Sequence, residues 1–164
     1  MAVTIERVGH GYVEPNHLSA PRNGQVYAQL PAAEDIEILE NGMFVKYDYA
    51  AGKCNFTGEG PWMMVFNEEK LYDERHQMHR DYAMQKSDFY DGVMTPRVFA
   101  MAPGDIFTTN AVAEAEYNVG DKLKVGTDGR LVAGAAPAGE HSFKVVKETT
   151  MPDLQPGVKI QVIA

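Results

Sequence analysis

The sequence predicts a mainly β protein: a small β-barrel or β-sandwich with one inserted helix and an extended N-terminal arm. Three observations lead there. Residues 118–132 read NVGDKLKVGTDGRLV, in which Lys122, Leu123, Lys124 and Val125 alternate polar and apolar. That is the period of a strand with one wet and one buried face. Next, a Gly precedes a short alternating run at Gly42, Gly104, Gly120 and Gly157. Turn-then-strand units at this density belong to small barrels and sandwiches. Finally, residues 68–86 alone carry apolar side chains at helical spacing.

Taken in order, residues 1–33 differ from the remainder. Pro15, Pro21 and Pro31, with Gly9, Gly11, Asn16, Asn23 and Gly24, interrupt every apolar run. The surviving islands (Val3, Ile5, Val8; Tyr12, Val13; Val26, Tyr27, Leu30) are too brief for helices. An extended arm that orders against a partner or against its own domain is expected here. Residues 34–164 form the β-rich domain. Strands are expected from Asp35 to Phe66, with Asn41-Gly42 as a hairpin turn. Trp62, Met64 and Phe66 alternate with Met63 and Val65, so both faces of that strand are apolar. Such a strand is either central or buries one face in a partner.

Asn67 can cap the helix expected over 68–86, and Glu68 and Glu69 suit the positive end of its dipole. Leu71, Met78, Tyr82 and Phe89 supply its stripe. Strand and turn chemistry returns after Asp91-Gly92, with a turn at Pro103-Gly104-Asp105 ahead of Ile106, Phe107, Thr108 and Thr109. In the hairpin after Gly120-Asp121, register selects the loop. A three-residue loop of Thr127, Asp128 and Gly129, with Gly129 left-handed, sets Leu131 opposite Val125. A two-residue loop would set Leu131 on the face of Lys122 and Lys124. Residues 143–147 and 158–163 read as two closing strands.

With 164 residues and 45% hydrophobic content, the chain suits one domain with a real core. Net charge −8 and a pI near 5.1 speak against nucleic acid as a partner, which calls for a basic patch. No long apolar run or signal-peptide core is present, so a soluble chain made in the cytoplasm, without a membrane partner, is expected. Cys54 stands alone and reads as a small strand residue rather than a nucleophile. There is no Gly-x-Ser-x-Gly elbow, phosphate loop or dinucleotide fingerprint. His76 and His79 have the spacing of metal ligands on a helix, with Asp73, Glu74 and Asp81 nearby. They lack a third ligand at a defined distance, so a solvated helix face is expected. Asp105, Asp121 and Asp128 each lie beside a Gly in a turn, where a carboxylate serves the local backbone. With Gly42, Gly104, Gly120 and Gly129 they are read as structural turns. No catalytic residue, metal or cofactor is expected.

GDKLKVGTDGRLV at 120–132 resembles a phrase frequent in capsid decoration (cement) proteins of tailed bacteriophages and in related head proteins. EKLYDER at 69–75, PRVF at 96–99 and GDIFTTN at 104–110 are similar to phage head proteins of this size. The resemblance covers residues 65–132 and the last strand pair. It implies a β-tulip-like, non-enzymatic domain that sits on the virion's capsid surface and reinforces the shell. Its partner would be the major capsid protein, and it would act as a homo-oligomer, a trimer first among them. The helix at 68–86 is not part of the smallest such folds. Trp62, Met64 and Phe66, with Tyr12 and Tyr27 on the arm, are the candidate contacts. Two other readings stand beside this one. A β-sandwich module on the virion could recognise glycans or another head or tail protein, with Trp62, Tyr47, Tyr49 and Tyr90 as stacking platforms. A small metal-dependent enzyme would use His76 and His79.

Overall fold

The computed structural model describes residues 2–67 and 82–164. Its N-terminal part supplies β1 (Val3–Thr4), β2 (Val13–His17), the single-turn helix α1 (Ala20–Asn23) and β3 (Val26–Tyr27). Then come β4 (Ile38–Glu40), β5 (Phe44–Asp48), β6 (Lys53–Asn55), β7 (Trp62–Val65), β8 (Ala83–Gln85) and β9 (Val98–Ala100). The remainder holds β10 (Ile106–Thr109), β11 (Glu116–Tyr117), β12 (Lys122–Val125), β13 (Leu131–Ala133), β14 (Phe143–Thr150) and β15 (Pro156–Val162).

Among the described residues these strands form two main antiparallel sheets. One has six strands in the order β13-β12-β14-β15-β10-β2, the other five in the order β3-β9-β7-β5-β6. Two short pairs, β1–β11 and β4–β8, complete the set. The mainly β class holds, as a sandwich rather than a barrel, because among the described residues both main sheets keep open edges.

Strand period explains how two cores arise. Phe44, Trp62, Met64 and Phe99 of the five-stranded sheet share a buried cluster with Phe107, Leu123, Phe143, Val145 and Ile160 of the six-stranded sheet. Phe44 anchors it, with ring centroids 5.1 Å from Phe143 and 6.1 Å from Phe107. The alternate residues Val45, Tyr47, Met63, Val65 and Val98 point the other way, into a second cluster with Ile36, Leu39, Met84 and Met94. The five-stranded sheet is therefore apolar on both faces. β7 is its central strand, which accounts for Trp62–Val65 without a partner. Each such side chain contributes about 1.5–3 kcal/mol of burial free energy.

One local device recurs. Three turns place a Gly at positive φ: Gly42 at 94°, Gly104 at 95° and Gly120 at 103°. Each closes with the next residue donating back three positions, from Met43 to Glu40, Asp105 to Ala102 and Asp121 to Asn118. In each, the Gly N–H donates to a Val carbonyl on the neighbouring strand: Val65, Val162 and Val145. The same Val N–H then returns a bond to the residue after the Gly. The Gly-led runs of the sequence are thus strands seated by one repeated pair of hydrogen bonds. Gly157 is different: it lies inside β15.

The hairpin β12–β13 pairs Val125 with Leu131 and leaves 127–129 as its tip, with Gly129 left-handed at φ 80°. Val125 and Leu131 therefore meet apolar to apolar, as the alternation along the two strands requires.

Three expectations need correction. Asn41-Gly42 turns the chain but closes no hairpin, since β4 pairs with β8 while β5 pairs with β6 and β7. The segment 1–33 does not stand off as an arm; of its two readings, the one that orders it against its own domain holds. β2 pairs with β10, β3 pairs with β9, and Ile5, Val13, Leu18 and Ala20 lie in the first core. Pro15 is tolerated because β2 is an edge strand, where a missing N–H removes no ladder bond on the open side. Of the helix expected over 68–86, residues 68–81 lie outside the described residues, as do His76 and His79. Its last turn is not helical: Ala83–Gln85 is β8, paired with Ile38–Glu40. Burying Ala83 and Met84 against β4 outweighs the local helical spacing.

Candidate functional site

Among the described residues, a cleft of about 780 Å³ opens at one end of the five-stranded sheet. Tyr27 of β3, Tyr47 at the end of β5 and Tyr49 just beyond it line the cleft, with Met63 and Ala100. Tyr47 is buried, and its hydroxyl accepts a hydrogen bond from the Gln29 backbone N–H at 3.3 Å. Its ring is tilted against Tyr27 at 6.1 Å and meets Tyr49 edge-on at 5.8 Å. Burial raises the Tyr47 hydroxyl above its ordinary 10.0, so it stays protonated at neutral pH. Tyr49 is 74% exposed.

The opposite wall is the connection 57–61. It closes on the sheet because Gly60 has no side chain: a Cβ there would stand 2.9 Å from the Tyr47 carbonyl oxygen. Asn55 Oδ1 holds the same loop by accepting from the N–H groups of Thr57 and Gly58, at 3.1 and 2.6 Å. Among the described residues, Asp48 and Glu59 are the charged members of the lining, which includes no Lys, Arg or His. The Asp48 carboxylate also accepts from the Ala51 N–H at 3.0 Å, which fixes its position.

Other candidate residues are committed elsewhere. Trp62 and Met64, read as partner contacts, are in the first core, because β7 is central. The Trp62 indole N–H donates to Glu140 Oε2 at 3.0 Å, and Lys46 lies 4.5 Å from its ring and 2.7 Å from Glu140 Oε1. Hydrogen bonds from Lys46 and Trp62 lower the Glu140 carboxyl. Phe66 is half-buried against Phe99, with the Arg97 guanidinium 5.6 Å from its ring. Tyr12 is half-buried, and its backbone is tied to Asn110 and Thr109. Of the proposed stacking residues, Tyr47 and Tyr49 meet in the cleft and Trp62 does not, while Tyr90 is exposed away from its lining.

The turn carboxylates serve the backbone. Asp105 is buried and accepts from Ala102 N–H and from both the N–H and hydroxyl of Ser19. Asp121 accepts from Asn118 N–H at 2.8 Å, and Asp128 from Arg130 N–H at 3.1 Å. Glu40 escapes sequence reasoning altogether. It is buried beside the Gly42 turn and bridges Arg7 at 2.7 Å and Arg130 at 3.1 Å, with His10 at 3.6 Å. Desolvation pushes its carboxyl up, but the hydrogen bonds and charges of the two arginines outweigh this and hold it below 4.5. Cys54 is fully buried, and desolvation pushes its thiol up to about 11, far from a reactive thiolate.

Among the described residues no group of three or more His, Cys, Asp or Glu comes together as a metal site. No family model, curated protein or solved structure matches this chain.

Proposed function

We propose that the protein is a non-catalytic structural component of a tailed-phage head: a decoration protein that binds the assembled shell and reinforces it. Its partner is then the major capsid protein, and it acts as a homo-oligomer, a trimer first among them. The phrases at 69–75, 96–99, 104–110 and 120–132 support this reading. The structural observation that carries it is where the polar groups are spent. Asp105 pins Ser19, and Glu40 clasps Arg7 and Arg130, so carboxylates tie the terminal segment and hairpin tip to a two-core body. A body whose loops are cross-tied suits a load-bearing role on a shell. The strand Trp62–Val65 is buried and is no longer a candidate contact; among the described residues Tyr90, Val8, Tyr49 and Leu154 are the most exposed large apolar side chains. Co-sedimentation of the purified protein with undecorated shells tests the proposal. Saturable binding with a raised shell melting temperature is expected, and absence of binding would refute it.

A second reading is a binding module on the virion that recognises glycans or another head or tail protein. The convergence of Tyr27, Tyr47 and Tyr49 on one cleft favours it. Glycan-array binding by the isolated protein would support the glycan form.

A further inference from the structure

We propose that the tyrosine cleft binds an arginine side chain carried on an extended segment of a partner protein. This goes beyond the decoration reading and does not rest on it. Charge complementarity argues first. The lining is aromatic and acidic, with Asp48 and Glu59 unopposed by any lining cation. Aromatic faces carry negative potential and attract cations, most strongly planar guanidinium groups that can also stack.

The donors and acceptors agree. Among the described residues the Asp48 carboxylate accepts one hydrogen bond, from the Ala51 N–H to Oδ1, which leaves acceptor capacity for a guanidinium fork. Tyr49 offers an exposed ring face beside it, propped edge-on by the buried Tyr47 ring. A stacking surface so held loses little freedom when a guest arrives.

The form of the guest follows from the wall. Gly58 and Gly60 leave backbone without side chains along one side of the cleft, and the exposed Gln25 amide stands among the lining residues. Main-chain groups of an extended segment can pair with the Gln25 amide and with carbonyls of this loop, the Gly58 N–H being held by Asn55. A neutral sugar would stack on Tyr49 equally well, but gains no charge pairing with Asp48 and Glu59.

The test titrates the full-length isotope-labelled chain with acetyl-Gly-Arg-Gly-Arg-Gly amide and with its citrulline counterpart. Saturable amide shifts at Asp48, Tyr49, Gly58 and Gly60 are expected for the arginine peptide. The citrulline peptide, isosteric but uncharged, should bind about tenfold more weakly. Tyr49→Ala should weaken arginine binding about two- to fivefold, the reach of one exposed cation–π contact. Asp48→Asn keeps the acceptor for Ala51, so it should preserve the fold while weakening binding and its salt dependence. Absence of binding, equal binding of the citrulline peptide, or shifts confined to other surfaces would each overturn the proposal. Maltohexaose shifting the cleft while the arginine peptide does not would overturn it in favour of a glycan.

Discussion

Replacing Gly129 by Ala separates what a hairpin tip needs locally from what its docking needs. The perturbation adds one carbon. At φ 80° an L-residue is strained by about 1–2 kcal/mol. The added Cβ would also stand 2.6 Å from the Phe44 carbonyl oxygen and 2.6 Å from Phe56 Cε1. The Phe56 ring can turn; the Phe44 carbonyl belongs to a strand in mid-sheet and cannot. Moreover, the Phe44 N–H donates to the Gly129 carbonyl at 2.7 Å, so backing the tip away lengthens that bond. Overpacking of this kind adds about 1–3 kcal/mol. The total is about 2–5 kcal/mol, or roughly 4–20 °C of melting temperature for a chain of this size. Gly120→Ala is the control, since its φ is 103° but a Cβ there meets nothing within 4 Å. It should lose the conformational part alone, about 1–2 kcal/mol. Urea unfolding followed by Trp62 fluorescence reads both, because the single Trp is buried in the first core. Equal losses in the two variants would mean that the tip does not press on Phe44.

Two further outcomes follow from the same geometry. Glu40→Gln should destabilise the fold at pH 7 by about 1–3 kcal/mol, the value of a charge-assisted hydrogen bond discounted for the partly exposed Arg130. Because the folded Glu40 carboxyl lies below 4.5, its contribution is present above that pH and lost as pH falls through the folded value. The gap between wild type and variant should therefore close in acid, and a gap unchanged at low pH would sink the clasp. Deleting residues 2–18 removes Ile5, Val13 and Leu18 from the core, roughly 4–9 kcal/mol of burial. That rivals the whole stability of a typical domain, so cooperative unfolding should disappear on calorimetry. A retained sharp transition would show that the segment is separable after all.

Local chemistry was legible in the sequence wherever neighbours along the chain decide the outcome. Alternation predicted β12, and the pairing of Val125 with Leu131 followed from keeping apolar opposite apolar. Gly42, Gly104 and Gly120 announced their turns because no other residue takes φ near 100° without strain. The mainly β class follows from the density of such units, while the choice of sandwich over barrel does not.

Partnerships between distant segments were not legible. Val13 pairs with Thr109 and Val26 with Phe99, so islands of two or three apolar residues become core only once a far strand is beside them. The apolar faces of Trp62–Val65 left a central strand and a partner-binding strand equally open. Burial of the five-stranded sheet between two cores decided it. Glu40 carries no local sign of burial; Arg7 and Arg130 make it tolerable from both sides. Tyr47 and Tyr49 stood out as aromatics, but the pairing of β3 with β9 is what brings Tyr27 to them. Hydrophobic period and turn strain are properties of a few successive residues. Cores, clasps and clefts depend on which strands close long loops against each other, and one sequence states that only through the folded sum of its contacts.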